Sequence, residues 1–83
     1  MKITISPKAE KQLRKLNKIE QIAIVSKIRS LPQVKNKKLQ GYADIYRIRV
    51  SDFRIVYKQT KSEIYIILIA HRREVYEMLH RFI

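Results

Sequence analysis

Residues 45–71, IYRIRVSDFRIVYKQTKSEIYIILIAH, decide the fold because they predict three successive β-strands. Runs rich in Ile, Val, Tyr and Phe occupy residues 45–50, 53–59 and 64–70, and such residues favour strands. Ser51-Asp52 joins the first pair and Thr60-Lys61-Ser62 the second; connections this short favour hairpins. The stretch therefore predicts an antiparallel meander whose last strand, apolar on both faces, lies inside the sheet.

Helix signals flank this meander. Ser6-Pro7 is typical of an N-cap followed by proline at the first helical position, and Pro32 ends a run with helical spacing. The other predicted elements are a strand at residues 2–5, helices at 7–16, 19–31 and 73–82, and a loop at 32–44. The second helix is expected to bury Ile22, Val25, Ile28 and Leu31, with Ile24 broadening that face. The order β-α-α-β-β-β-α predicts an α+β fold: a small antiparallel sheet packed on an N-terminal helical hairpin.

Length and composition favour one small domain, residues 1–83, with 46% apolar residues to form its core. There is no cysteine, and two isolated histidines with scattered carboxylates do not predict a metal site. We therefore expect neither a metal nor a cofactor. No apolar run approaches the roughly 20 residues that span a bilayer, and residues 1–10 lack an apolar signal region. We expect a cytoplasmic protein without membrane contact.

The charge is strongly positive: 19 Lys and Arg against seven Asp and Glu give a net charge of +12. Such a field attracts polyanions, because phosphate contacts release counterions. A basic small protein can also owe its charge to solubility, or to pairing with an acidic protein. The charge favours a nucleic-acid partner, and one surface could serve both RNA and an acidic protein.

Strand alternation predicts where these cations lie. Side chains alternate between the two faces of a strand, so Arg47, Arg49, Arg54 and Lys58 are expected on one open sheet face. His71 and Arg72, at the end of the last strand, are expected to border the same concave surface. For any single arginine, an ordinary solvated surface explains the pattern better than a binding role does, but this explanation weakens for the whole set. Lys37 and Lys38 in the loop can track phosphates or simply be solvated, and the helical-hairpin lysines are typical of a solvated face.

Two segments carry a resemblance to a known family. KKLQGYADIYRIRVSDFRIVY (37–57) and IILIAHRREVY (66–76), in this order and spacing, resemble the RelE branch of the RelE/ParE toxin superfamily. The β-α-α start also fits, so the resemblance extends over nearly the whole chain. It implies the RelE-like fold and a toxin of a type II toxin–antitoxin system. It further implies a metal-independent endoribonuclease that cuts mRNA in the ribosomal A site by 2′-OH attack and blocks translation.

The resemblance also implies partners and site residues. The partners are mRNA, the ribosome and a cognate acidic, RelB-like antitoxin; we expect the toxin alone to be monomeric and the antitoxin complex to be larger. Two basic positions fall on Arg47 and Arg49, where this chain has arginine in place of lysine. The remaining family positions fall on Arg54, on Arg72 rather than Arg73, and on Tyr76, while other branches carry a histidine near His71.

These residues suit RNA cleavage, in which the 2′-OH loses a proton, the phosphorane gains charge and the leaving oxygen gains a proton. Arg54 and Arg72 are expected to stabilise the charge. Tyr76 is a candidate base if neighbouring cations lower its pKa, and it is equally typical of an aromatic residue packing on the sheet. His71 is a further candidate, since histidine titrates near neutral pH; a structural strand-end histidine is the alternative.

Two functions of other classes stay open. ParE-like toxins share the fold but inhibit DNA gyrase without nuclease chemistry, and the sequence HRREVY argues against that branch. A non-catalytic RNA-binding domain would explain the charge but not the arginine–tyrosine set. A neighbouring antitoxin reading frame would exclude the plain binder, and the cellular effect would separate the two toxins.

Overall fold

The computed structural model describes residues 1–33, 37–38 and 44–82, with the backbone alone at residues 33, 37, 38 and 82. In these parts of the chain the predicted order of elements is confirmed, with one short strand added inside the predicted loop. The elements are β1 (Lys2–Ile5), α1 (Pro7–Arg14), α2 (Lys18–Ser30), a 3₁₀ turn (Leu31–Gln33), β2 (Lys37–Lys38), β3 (Ile45–Val50), β4 (Phe53–Gln59), β5 (Glu63–His71) and α3 (Val75–Phe82).

The five strands form one mixed sheet in the order β1-β5-β4-β3-β2. The meander β3-β4-β5 is antiparallel, as predicted, and β5 is an interior strand between β1 and β4. β1 pairs with β5 in parallel, because the helical hairpin carries the chain away from β1 before the meander brings β5 alongside it. The sheet therefore has one parallel edge that strand alternation alone did not predict.

A β-bulge interrupts the pairing of β4 with β5. Tyr57 is opposite Ile66, but the preceding residue of β4, Val56, is opposite Leu68. Ile67 is thus the extra residue, and it reverses the side-chain alternation in the rest of β5. Ile66 and Ile69, three residues apart, consequently belong to the same core cluster. The bulge decides which face the end of β5 presents to the site.

Residues of α1 and its N-cap cover the edge of β5 beyond the last pair with β1. The Ser6 side chain donates to the carbonyl of Ile67 (2.8 Å) and also caps α1 by accepting from the amide of Ala9 (3.0 Å). The amide of Ile69 donates to Oε1 of Gln12 (2.9 Å). These side chains satisfy backbone groups that an open strand edge would leave unpaired, so β5 is held in place on both sides.

Helices pack on both faces of the sheet. The helical hairpin of α1 and α2 packs on one face, and its main core cluster includes Ile24, Ile55 and Tyr57. On the opposite face, Val75 and Leu79 of α3 pack against Val56, Leu68, Ala70 and Ile45. The sequence predicted that this second face would be open, and that prediction was wrong for the part that α3 covers. The apolar stripe of α3 is buried against this face of the sheet, as expected for an amphipathic helix.

The helices end close to their predicted limits, but α2 is rotated relative to the prediction. Ile24, Ile28 and Leu31 are buried, whereas Ile22 is 60% exposed. The buried set follows the i, i+4, i+7 spacing of a helix face. Because α2 carries apolar residues on more than one side, periodicity alone could not select the face. No helix in the described ranges is long and apolar enough to cross a membrane.

Candidate nucleic-acid interface

Three arginines form the floor of the candidate site. Arg47 and Arg49 alternate with Ile48 along β3, and Arg54 lies on β4 directly opposite Arg49. Directly opposed residues share a face and have Cβ atoms roughly 5 Å apart. The three arginines therefore lie on the sheet face that α3 partly covers. Alternation predicted this shared face correctly.

The wall of the site is formed by α3 and the end of β5. Tyr76, in the first turn of α3, is 47% exposed, and the guanidinium carbon of Arg47 lies 5.8 Å from its ring centroid. Arg72 follows the last residue of β5. Together these residues enclose an open cleft of about 300 Å³, which is lined by Arg47, Ile48, Arg49, Arg54, Arg72 and Tyr76.

The tight β3–β4 turn ties Arg72 to the sheet. The backbone amide of Arg72 donates to the carbonyl of Asp52 (2.7 Å), which extends the ladder one residue beyond β5. The carboxylate of Asp52 lies 3.9 Å from Nε of Arg72. The preceding turn residue, Ser51, has a φ of 54°, in the left-handed region that tight hairpin turns use. Sequence reasoning missed Asp52, because its contact with Arg72 depends on the strand register.

The cleft concentrates positive charge. Four of the six described residues that line it are arginines, and the other two are Ile48 and Tyr76. Opposed like charges destabilise a sheet, so the Arg49–Arg54 pair costs the folded protein stability unless an anion lies between the two side chains. The planar guanidinium fork can bind two phosphate oxygens at once. This arrangement suits a polyanion rather than an apolar ligand.

The structure does not bring His71 into this cleft. His71 pairs with Phe53, and the two rings meet edge to face with centroids 5.8 Å apart. Phe53 packs against the hairpin-side core, so His71 faces that side of the sheet. Its Nδ1 accepts a hydrogen bond from the amide of Arg73 (3.2 Å). Regular alternation would have put His71 on the arginine face, but the bulge at Ile67 reverses it. The expectation that His71 borders the basic surface is corrected accordingly.

Lys58, which the sequence also predicted to bind RNA, is not among the described residues that line the cleft. Lys58 is exposed on β4 opposite Ile45, four residues or roughly 13 Å along the strand from Arg54. Val56, buried under α3, lies between them. Lys37 and Lys38 form β2, whose backbone pairs with Arg47 and Tyr46; their side chains lie outside what the structure describes. In the same described ranges no three His, Cys, Asp or Glu residues are grouped so as to hold a metal ion.

The opposed arginines lead to a prediction that separates folding from binding. We expect Arg49→Gln to stabilise the fold by up to about 1 kcal/mol, because it removes one of two opposed like charges. The same change should weaken RNA binding. It should also reduce the slope of the logarithm of the binding constant against the logarithm of the salt concentration by about 0.7, the value expected for one phosphate contact with single-stranded nucleic acid. Thermal melts at low and high salt, together with RNA titrations, measure both effects.

Lys58→Gln is the matched control for this prediction. It also removes one exposed cation from the same face of the sheet, but Lys58 is opposite an isoleucine and is not among the described residues that line the cleft. It should change neither the melting temperature nor the salt slope appreciably. A stability gain from Lys58→Gln as large as that from Arg49→Gln would contradict the like-charge explanation, and so would a gain that persists at high salt.

Comparisons with known proteins identify relatives of this fold. The family model described as the ParE toxin of the type II toxin–antitoxin system, parDE, matches residues 3–76. Among solved structures, the isolated E. coli RelE toxin is 27% identical, covers 99% of this chain and 98% of its own, and superposes with a TM-score of 0.75. None of the curated proteins matches the chain significantly.

Two further similar structures contain a toxin with its antitoxin. The toxin of the intact E. coli RelBE toxin–antitoxin complex is 26% identical, with 84% of this chain and 94% of that one covered and a TM-score of 0.71. The matching chain of the archaeal RelE–RelB complex from Pyrococcus horikoshii is also 26% identical, with 86% of this chain and 93% of that one covered and a TM-score of 0.72.

Proposed function

This chain belongs to the ParE toxin family, within the RelE/ParE superfamily of type II toxins, and we propose that it is a ribosome-dependent endoribonuclease. In this proposal it cuts mRNA in the ribosomal A site and so blocks translation. The observation that carries the proposal is the convergence of Arg49, Arg54, Arg72 and Tyr76 on one cleft of about 300 Å³. A plain phosphate-binding patch needs the arginines but not a partly exposed tyrosine beside them.

The proposed reaction uses the nucleophile that RNA already carries. The 2′-OH of one nucleotide loses its proton and attacks the adjacent phosphate, and the 5′-oxygen of the next nucleotide leaves and takes up a proton from water, which gives a cyclic phosphate and a free 5′-hydroxyl. Arg54 on β4 and Arg72, just after β5, can bind the non-bridging oxygens as charge develops on them. Arg47 and Arg49, on the neighbouring strand β3, can hold flanking phosphates and set the position of the RNA.

Among the described residues that line the cleft, one is a candidate for the proton transfer. Arginine stays protonated in proteins, and Ile48 carries no proton to exchange, so Tyr76 is the group of the cleft lining that can act as base. The guanidinium carbon of Arg47 lies 5.8 Å from the centroid of the Tyr76 ring. His71, on the other face of the sheet, is a poor candidate for direct contact with the same phosphate.

The direct test is a map of mRNA ends after induction of the chain alone. We expect growth to stop and new 5′-hydroxyl ends to appear within translated codons, because cleavage requires mRNA in the ribosome. Untranslated RNA in the same cells is the internal control and should stay intact. Intact mRNA with continuing protein synthesis would contradict the proposal.

The ParE family match favours a second candidate, inhibition of DNA gyrase without cleavage of RNA. That function predicts DNA breaks and an SOS response on induction, with mRNA left intact. The same induction experiment therefore distinguishes the two toxins. Arg72 and Tyr76 would then have no catalytic role, and replacing Tyr76 by Phe would leave toxicity unchanged.

We also propose that a cognate acidic antitoxin inhibits the toxin by covering the arginine cleft. Similar structures contain a RelE toxin with its RelB antitoxin, and a net charge of +12 favours an acidic partner. Alanine at Arg47, Arg49, Arg54 or Arg72 should weaken the complex by about 1–3 kcal/mol where the lost contact is charge-assisted. Titrations with the purified antitoxin at several salt concentrations measure this loss.

Hydrogen exchange of the complex decides where the antitoxin lies. Direct masking predicts slower exchange at β3, β4 and the first turn of α3. The competing surface is the outer face of α2, where Ile19 is 81% exposed and Ile22 60%. Protection confined to α1 and α2 would refute direct masking of the cleft.

A further inference from the structure

Asp52, in the β3–β4 turn, lies beside Arg72, which lines the cleft. Its Oδ1 is 3.9 Å from Nε of Arg72, and its carbonyl accepts the amide hydrogen of the same residue at 2.7 Å. Both the backbone and the side chain of Arg72 therefore have their partner in one turn residue. The carboxylate approaches the Nε edge of the guanidinium, and the two terminal nitrogens keep four donors for another ligand.

The pair contributes little to the stability of the fold. The Asp52 side chain is 60% exposed and that of Arg72 50%, and exposed ion pairs stabilise proteins by at most about 1 kcal/mol. A negative charge beside the cleft also weakens its attraction for a polyanion. Aspartate is common in tight hairpin turns, and this one in addition faces the Nε edge of an arginine that lines the cleft.

We propose that Asp52 is a positioning residue, whose negative charge attracts the Nε edge of Arg72 toward the turn so that the terminal nitrogens face the cleft. The proposal rests on the proposed function, because the group to be bound there is the phosphate that is cut. An arginine at the end of a strand has four side-chain torsions to fix, and ordering them costs entropy. A carboxylate that already holds one edge reduces this cost at the moment when charge develops.

The test compares Asp52→Asn with Asp44→Asn. Both changes remove one exposed carboxylate from a turn and keep the side-chain size. Asp44, with a φ of 59°, precedes β3 at its opposite end, and asparagine tolerates this conformation. We expect Asp52→Asn to slow single-turnover cleavage of ribosome-bound mRNA roughly tenfold to a hundredfold, with affinity for a short single-stranded RNA unchanged or slightly higher. Asp44→Asn should leave the cleavage rate unchanged.

A double-mutant cycle shows whether Asp52 acts through Arg72. In an Arg72→Ala background, Asp52→Asn should have no further effect on the rate. A full additional loss in that background would overturn the proposal. A fall in RNA affinity as large as the fall in rate would overturn it too, because it would indicate direct contact between Asp52 and RNA.

An NMR arm keeps this test separate from the proposed function. The Nε–H signal of Arg72 should shift, and exchange faster with water, in Asp52→Asn but not in Asp44→Asn. If the wild-type chain does not cut mRNA at all, the proposed function fails, while this signal still decides whether the pair exists. An Arg72 signal that is identical in the wild type and in Asp52→Asn would overturn the positioning role.

Discussion

Replacing Arg72 by Ala should slow cleavage of ribosome-bound mRNA by roughly 10²- to 10³-fold, the usual effect of removing one donor that stabilises developing charge. Arg72 lines the cleft and its backbone is fixed to the β3–β4 turn, so its guanidinium can be aimed before RNA binds. Single-turnover rates at saturating toxin measure this effect without a contribution from weaker binding. Affinity should fall much less than the rate.

Arg73→Ala is the matched control. Arg73 is the next residue in the chain and is also an exposed arginine, but it does not line the cleft. Arg73→Ala should cut at nearly the wild-type rate. The free energy of unfolding of both variants should lie within about 0.5 kcal/mol of the wild-type value. A loss of rate in Arg73→Ala together with an active Arg72→Ala would reverse the assignment between these two neighbours.

The sequence predicted the face that carries the arginines because the alternation in β3 and β4 is regular. In IYRIRV the apolar residues Tyr46, Ile48 and Val50 pack toward the hairpin side, which leaves Arg47 and Arg49 on the other face. The opposed position of Arg54 then follows from a two-residue turn. Local pattern and strand pairing point to the same answer in this half of the sheet, so the arginine floor of the cleft was predictable.

The prediction failed where β5 departs from regular alternation. IYIILIAH is apolar at almost every position, so its pattern contains no signal for the extra residue at Ile67. That bulge moves His71 to the hairpin face. The contact of Asp52 with Arg72 was not predictable either, because it depends on how β5 is aligned with β4. The position of α3 was equally unpredictable, since its apolar stripe could have covered any apolar part of the sheet.

The second large effect is expected at Tyr76. Tyr76→Phe should slow single-turnover cleavage by roughly 10²- to 10⁴-fold, because it removes the cleft group that can take the 2′-OH proton. The variant keeps the ring beside Arg47, so packing and base stacking survive and only the hydroxyl is lost. Its affinity for RNA and its melting temperature should therefore match the wild type, with the whole loss in the rate of cleavage.

His71→Asn is the control that tests the corrected position of the histidine. The asparagine oxygen can replace Nδ1 as acceptor for the amide of Arg73, while the imidazole, which could transfer a proton, is removed. If proton transfer takes place in the cleft, His71→Asn cuts at nearly the wild-type rate and Tyr76→Phe does not. The opposite result, a slow His71→Asn and a fast Tyr76→Phe, would reduce Tyr76 to a stacking residue. It would also require the end of β5 to turn His71 toward the RNA during the reaction.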